Sequence, residues 1–151
     1  MPRMIFVNLP VADLPRAKAF YTALGFVNEP RFTDDTAAAM QWSETIAVML
    51  LTHAKWQGFT DRPIPAAGAS EVMLCLSLDS REAVDAMSDA AAANGGTVDV
   101  NPAQDHGFMM SRSFADPDGH VWEPMWMDPA VAQGTEPVAG NEELLAQGSG
   151  Q

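Results

Sequence analysis

The amino-acid sequence predicts an α+β fold in which two tandem βαβββ modules form a curved mixed sheet around a central cavity. Two observations support this prediction: an alternating strand followed at once by a capped helix occurs twice, and each helix is followed by strand-like runs. A third is the strong hairpin turn near the end of the second repeat. With 151 residues, of which 47% are hydrophobic and 19% charged, the chain suits one globular domain, predicted over residues 1–128.

The first module is predicted over about residues 1–53. Its first strand places Ile5, Val7 and Leu9 on one face and Phe6 and Asn8 on the other. The helix that follows has Asp13 as its N-cap and Gly25 after its end. Three strand-like runs complete the module: 26–32, 37–42 and 45–52.

The second module is predicted over about residues 70–128, after a Pro- and Gly-containing connector at 54–69. Its first strand alternates like the first strand of the chain. Ser80 caps the second helix, and an Asn-Gly-Gly sequence at 94–96 ends it. Three further strands fit between Thr97 and Met127.

The Asp116-Pro117-Asp118-Gly119 turn predicts a tight hairpin into the last strand. That strand places Val121, Glu123 and Met125 on one face, so Glu123 is the only ionisable group in an apolar row. A carboxylate there must be solvated, paired or bound to a metal. A structural ion pair and a catalytic acid or base are therefore both open interpretations of Glu123.

A four-stranded sheet with its helix on one side leaves its other face to enclose a cavity. The alternation predicts the following lining: Phe6, Asn8, Met49, Leu51, Met73, Cys75, Met110, Arg112, Glu123 and Met125. Such a cavity is soft, apolar and rich in thioethers. We expect Arg112 either to bind an anionic ligand or to pair with Glu123. For Cys75, a small buried side chain is the simplest interpretation.

Composition excludes several partner classes. Eight basic and 20 acidic residues give a net charge of −12, which disfavours nucleic acid and anionic membrane surfaces. No run is long and apolar enough to cross a membrane. The single cysteine and the absence of a secretory pattern predict a cytoplasmic protein. Residues 129–151 are predicted to form a flexible acidic tail.

The segments VNLPVADLPRAKAFYTALGF and FADPDGHVWEPMWMD resemble the vicinal-oxygen-chelate superfamily, which holds glyoxalase I, bleomycin-resistance proteins and extradiol dioxygenases. The resemblance covers roughly residues 4–128. IAVMLLTH and GFMMSRSF are similar to a bacterial glyoxalase-like branch.

In glyoxalase I the resemblance implies four metal ligands, two His and two Glu. Carried over, they fall on Phe6, Met49, Met73 and Glu123. Phe cannot ligate a metal, and thioethers suit soft ions, so we expect no cofactor. The alternative is a remodelled Ni, Zn or Mn site that uses Glu123 and the loop residue His106.

Three functions follow as hypotheses, and whether the protein is an enzyme stays open. The first is metal-independent binding of, or action on, a small hydrophobic or amphipathic molecule. The second is a divalent-metal lyase or isomerase that resembles lactoylglutathione lyase. The third is drug sequestration, favoured by the acidic charge and the four tryptophans. We expect a homodimer, because paired modules can close within one chain or between two.

Overall fold

The computed structural model describes residues 2–134, and it confirms an α+β fold of two βαβββ modules. The elements of module 1 are β1 Ile5–Val11, α1 Leu14–Ala23, β2 Val27–Glu29, β3 Ala37–Gln41 and β4 Ile46–Thr52. A short helix, α2 His53–Gln57, then leads into the connector. The elements of module 2 are β5 Met73–Ser77, α3 Arg81–Ala93, β6 Thr97–Val98, β7 Gln104–Asp105, β8 Met109–Ser111, β9 Phe114–Ala115 and β10 Val121–Met127.

Each module forms a mixed sheet. Sheet A has the order β1-β4-β3-β2, in which β1 runs parallel to β4 and the other pairs are antiparallel. In sheet B, β5 runs parallel to β10, and β8 and β9 pair antiparallel with successive parts of β10. The duplicated pattern therefore gives one parallel strand pair in each module, β1–β4 in sheet A and β5–β10 in sheet B.

The helix ends form as their local sequences predict. Oδ1 of Asp13 accepts the backbone N–H of Arg16 at 3.0 Å, and Oγ of Ser80 accepts that of Ala83 at 3.0 Å. Each bond satisfies an N–H that the first helical turn leaves free. Gly25 ends the α1 segment with φ +108°, a conformation that favours glycine.

Some boundaries differ from the prediction. The run at 26–32 is a three-residue strand followed by a 3₁₀ turn at Pro30–Phe32, because a proline cannot donate to a strand ladder. In place of the three strands expected after Thr97 there are four strands of two or three residues and one of seven, β10. The connector predicted at 54–69 begins within a short helix, α2, whose first residue is His53 and which Thr52 caps.

The two modules share one hydrophobic core. The helix-facing rows of both sheets and both long helices contribute to a single buried cluster, which includes Val48 and Leu50 from module 1 and Leu76, Phe114 and Trp122 from module 2. Since these rows face the shared core, the alternate rows of the central strands point away from it.

A buried polar network also joins the modules. The hydroxyl of Tyr21 donates to Oδ2 of Asp116 at 2.6 Å and accepts the indole N–H of Trp122 at 2.9 Å. Nearby, Nε2 of His120 lies 2.7 Å from the carbonyl oxygen of Pro10. These bonds fix the hairpin of module 2 against α1 and β1 of module 1.

After β10 the described chain ends in a short helix, α4 Pro129–Ala132. The rest of the predicted tail, from residue 135 onward, lies outside the described residues. Within residues 2–134, no helix has the length and apolar character needed to cross a membrane.

Candidate functional site

The register of the two parallel couples defines the rows of side chains that point away from the core. In module 1 the facing pairs are Phe6–Ala47, Asn8–Met49 and Pro10–Leu51. In module 2 they are Met73–Val121, Cys75–Glu123 and Ser77–Met125. We call these two rows the outward faces. Paired residues lie on the same side of a sheet, so each outward face is continuous across its couple.

Parts of these faces are open to solvent in the single chain, whereas Pro10, Ala47 and Leu51 are buried. Phe6 is 58% exposed and Met73 is 44% exposed, and Asn8 and Cys75 are also exposed. Glu123 and Met125 are half-buried. The predicted lining residues of β1, β4, β5 and β10 therefore occupy two outward faces.

Glu123 and Cys75 are neighbours across the β5–β10 couple. Within residues 2–134, the carboxylate of Glu123 makes no hydrogen bond and no ion pair. Shielding of the thiol by the surrounding protein, and then the charge of Glu123, raise the pKa of Cys75. The thiol is therefore kept protonated at neutral pH and is a poor nucleophile.

Arg112 does not lie where the sequence predicted. Its guanidinium donates to both carboxylate oxygens of Asp99, at 3.1 and 3.0 Å, and to Asp85 of α3 at 3.0 Å. These partners raise the pKa of Arg112, chiefly because its guanidinium donates hydrogen bonds to Asp99. The side chain lies on the helix side of sheet B, so the expected pairing with Glu123 is wrong.

Met110 also differs from the prediction, for a reason of register. It faces Trp126 across the β8–β10 pair and shares the helix side of the sheet with it. The outward positions of β8 belong instead to Met109 and Ser111, opposite Met127 and Met125. Sequence reasoning missed Met109 and Ser111, because it gave this segment the opposite phase; β8 and β9 share one register, in which Phe114 faces Trp122 on the core side.

The histidines have local partners. Nε2 of His106 lies 3.3 Å from Oε1 of Gln104, and its ring contacts Phe108 with centroids 6.2 Å apart. His120 is held at Pro10, as its opposite parity to Glu123 predicts. In the described part of the chain, no hydrogen bond joins any histidine to Glu123.

Comparison of the sequence with models of known protein families identifies the family of this chain. The model of the Glyoxalase/Bleomycin resistance protein/Dioxygenase superfamily matches residues 3–123. The chain belongs to this superfamily. In a comparison with curated proteins, none matches this chain.

Several solved structures share the fold of this chain. A hypothetical protein, SA1046 from S. aureus, is 26% identical with a TM-score of 0.70 and covers 83% of this chain and 95% of its own. A glyoxalase-related enzyme from Fulvimarina pelagi is 19% identical with a TM-score of 0.69, covering 83% and 88%. A family enzyme from Burkholderia phytofirmans PsJN is 17% identical with a TM-score of 0.68, covering 83% and 99%.

The side chains at the four implied ligand positions do not fit a binding site for a divalent metal ion. Of the four positions that the resemblance implies, only Glu123 offers an oxygen ligand, and Phe6, Met49 and Met73 offer a ring and two thioethers. Among the described residues, no group of three or more His, Cys, Asp or Glu side chains could hold a metal ion. We therefore derive no step through a metal at these positions.

Proposed function

We propose that this superfamily member binds, or acts on, a small amphipathic molecule on the outward face of β5 and β10, with Glu123 as its polar anchor. The observation that supports this proposal most directly is a half-buried carboxylate without a protein partner in a row of apolar and thioether side chains. Such a carboxylate is stabilised by a ligand that brings a hydrogen-bond donor beside an apolar body.

The placement of Arg112 narrows the ligand class. Because its guanidinium is held by Asp85 and Asp99, no described cation balances Glu123 on this face. An anionic ligand would therefore meet a carboxylate without a counter-charge. We favour amphipathic alcohols, phenols and amines over hydrophobic acids.

Drug sequestration through an aromatic cleft has less support. Trp122 lies in the core, Trp42 packs on Phe26 at 5.0 Å between centroids, and Arg81 covers Trp126 at 5.0 Å. Three of the four tryptophans that motivated this hypothesis are therefore engaged elsewhere.

A thermal-shift screen tests the proposal. Phenols, alcohols and amines should raise the melting temperature, and Glu123→Gln should abolish the increase while it preserves side-chain shape. Glu44→Gln, at an exposed site, removes the same charge and should leave the shift intact. A ligand at about 100 times its Kd stabilises the fold by roughly 2.7 kcal/mol. Equal shifts in wild type and Glu123→Gln would contradict the proposal.

The same screen includes Ni²⁺, Zn²⁺ and Mn²⁺ after treatment with a chelator. We expect no stoichiometric stabilisation by any of these ions. A stoichiometric shift that Glu123→Gln removes would instead favour a metal-dependent lyase or isomerase and a remodelled site.

We also propose that two copies form a homodimer through their outward faces. Large apolar residues of the outward faces are exposed at equivalent positions of the duplicated strands: Phe6 in β1 and Met73 in β5. A twofold axis could place each module against the opposite module of the second copy, covering both residues.

Light scattering after size-exclusion chromatography measures the oligomeric state. Phe6→Asp should convert the dimer to a monomer, because it puts a charge in the apolar contact. Phe32→Asp is the matched control, since Phe32 is exposed in module 1 but lies outside the outward faces. A wild-type monomer would overturn this assembly. A cytoplasmic location completes the proposal, supported by the lone cysteine, which has no partner for an internal disulfide.

A further inference from the structure

Two buried polar side-chain atoms in the described part of the chain have no hydrogen-bond partner: Nε1 of Trp56 and Oδ2 of Asp118. One is a donor and the other is an acceptor. Burying a polar atom without a hydrogen-bond partner costs free energy, so each atom favours a ligand that supplies the missing partner. Both residues line cavities beneath the connector, away from the outward-face pair of Cys75 and Glu123.

Asp118 lines the smaller cavity, of about 260 Å³. Its side chain is 8% exposed. Oδ1 accepts the backbone N–H of Ala12 at 2.8 Å and lies 3.7 Å from a guanidinium nitrogen of Arg16. Oδ2 has no partner, although the cavity walls are mainly apolar, with Ile64 and Pro65 among them. A ligand ammonium group would supply the missing donor to Oδ2, beside the positive charge that Arg16 already places near Oδ1.

Trp56 lines the larger cavity, of about 540 Å³, together with Asn8, Arg62 and Val72. Its indole nitrogen is shielded from solvent and unpartnered. Arg62 makes no ion pair with any residue between 2 and 134. The indole N–H and the guanidinium both favour an acceptor, such as a carboxylate or a carbonyl oxygen.

The two cavities adjoin. They share wall residues from β1, the connector and the module 2 hairpin: Pro10, Pro65, Ala69, Gly119 and His120. The connector fits closely at this wall, because a Cβ built on Gly119 would lie 2.2 Å from the carbonyl oxygen of Ala67. The cavities therefore form one groove with a carboxylate at one end and a donor pair at the other.

We propose that this groove is a second binding site, for a small zwitterion with a primary ammonium at one end and a carboxylate at the other. The ammonium binds Oδ2 of Asp118, and the carboxylate binds Trp56 and Arg62. The apolar walls between them contact the aliphatic part of the ligand. Glu123 does not line this groove, although the groove borders the outward faces at Asn8, Pro10 and Val121.

Calorimetric titration with ω-amino acids of about four to eight carbons tests the site, because their length varies at constant end groups. Alkylamines and alkanoates of equal length are the single-ended comparisons. One or two lengths of the ω-amino acid should bind at least about tenfold more tightly than either comparison, as expected for two charge-assisted contacts.

Three variants locate the binding. Asp118→Asn keeps the Oδ1 acceptor for Ala12 but places an amide at the ammonium contact, so affinity should fall at least about tenfold. Trp56→Phe removes the indole donor and should weaken the zwitterion but not the alkylamine. Ala69→Leu, at an exposed position on the shared wall, should obstruct the groove while both polar atoms remain.

Glu123→Gln is the matched charge control and should bind the zwitterion like wild type. Three results would overturn the site: no binding by any length, unchanged affinity in Asp118→Asn, or equal binding of alkylamine and ω-amino acid. Loss of binding in Glu123→Gln would also overturn it and would assign the ligand to the outward face. Circular dichroism of each variant verifies folding, so that a lost ligand is not mistaken for a lost fold.

Discussion

Replacing Tyr21 by Phe removes one oxygen atom from the interface between the modules, yet it breaks two hydrogen bonds. The indole N–H of Trp122 and Oδ2 of Asp116 both lose their partner, and all three residues are buried. An unsatisfied buried group costs about 1–3 kcal/mol, and more when it is charged. We expect a loss of about 3–5 kcal/mol in the free energy of unfolding, a large part of typical total stability.

The loss should depend on pH. Burial raises the pKa of Asp116, while the charge of His120 and the Tyr21 hydroxyl lower it. A carboxyl whose folded-state pKa is raised contributes stability that is present below its unfolded pKa and is lost as pH rises through the folded pKa. Tyr21→Phe removes one lowering contact, so the folded pKa of Asp116 rises further. The penalty should therefore be larger near pH 7.5 than near pH 4, where roughly half of the unfolded carboxyl groups are protonated.

Urea unfolding followed by circular dichroism at these two pH values measures both effects. Thr22→Val is the matched control, because it deletes an exposed hydroxyl that bonds to the carbonyl of Lys18 on the same helix. Its effect should stay below about 0.5 kcal/mol. A Tyr21→Phe penalty under about 1 kcal/mol, or one that is larger at the acidic pH, would refute the reasoning.

Two further predictions concern neighbouring contacts. Arg112→Ala should lower the free energy of unfolding by about 1–2 kcal/mol, a moderate value because Asp85 and Asp99 are about half exposed. Urea unfolding measures this loss. The variant should leave the ligand-induced thermal shift unchanged. Gly119→Ala should lower the melting temperature and expose the connector to limited proteolysis, because φ is +92° and the added Cβ meets the backbone of Ala67. Unchanged connector cleavage in Gly119→Ala would contradict the close fit.

Local sequence signals predict the elements that local chemistry determines. Asp13 and Ser80 are short polar residues at the start of amphipathic runs, and both cap helices. The Asp-Pro-Asp-Gly turn is equally local: Oδ1 of Asp116 accepts the N–H groups of Asp118 and His120. The parity of Glu123 followed from this turn, because counting from a fixed hairpin gives the face of each residue.

The failures arise where the phase of a strand depends on distant pairing. The chain between Gln104 and Ala115 forms three short segments. β8 and β9 keep one register against β10, so Met110 and Arg112 share the helix side of sheet B with the core residue Phe114, whereas the sequence prediction gave them the opposite phase. The acidic partners of Arg112, on α3 and after β6, are 27 and 13 residues away in the sequence. No local pattern indicates such contacts.

Along β1, β4, β5 and β10, alternate side chains face either the core or the outward face, so packing and binding chemistry depend on different residues. Asn8 beside Met49 in the first copy corresponds in place to Cys75 beside Glu123 in the second, while the residues between them fill the common core. After duplication, the outward face could thus carry a thiol in place of an amide and a carboxylate in place of a thioether with little effect on the packing of the core. The same separation offers protein engineers positions where new reactive groups can be introduced into a chain that still folds.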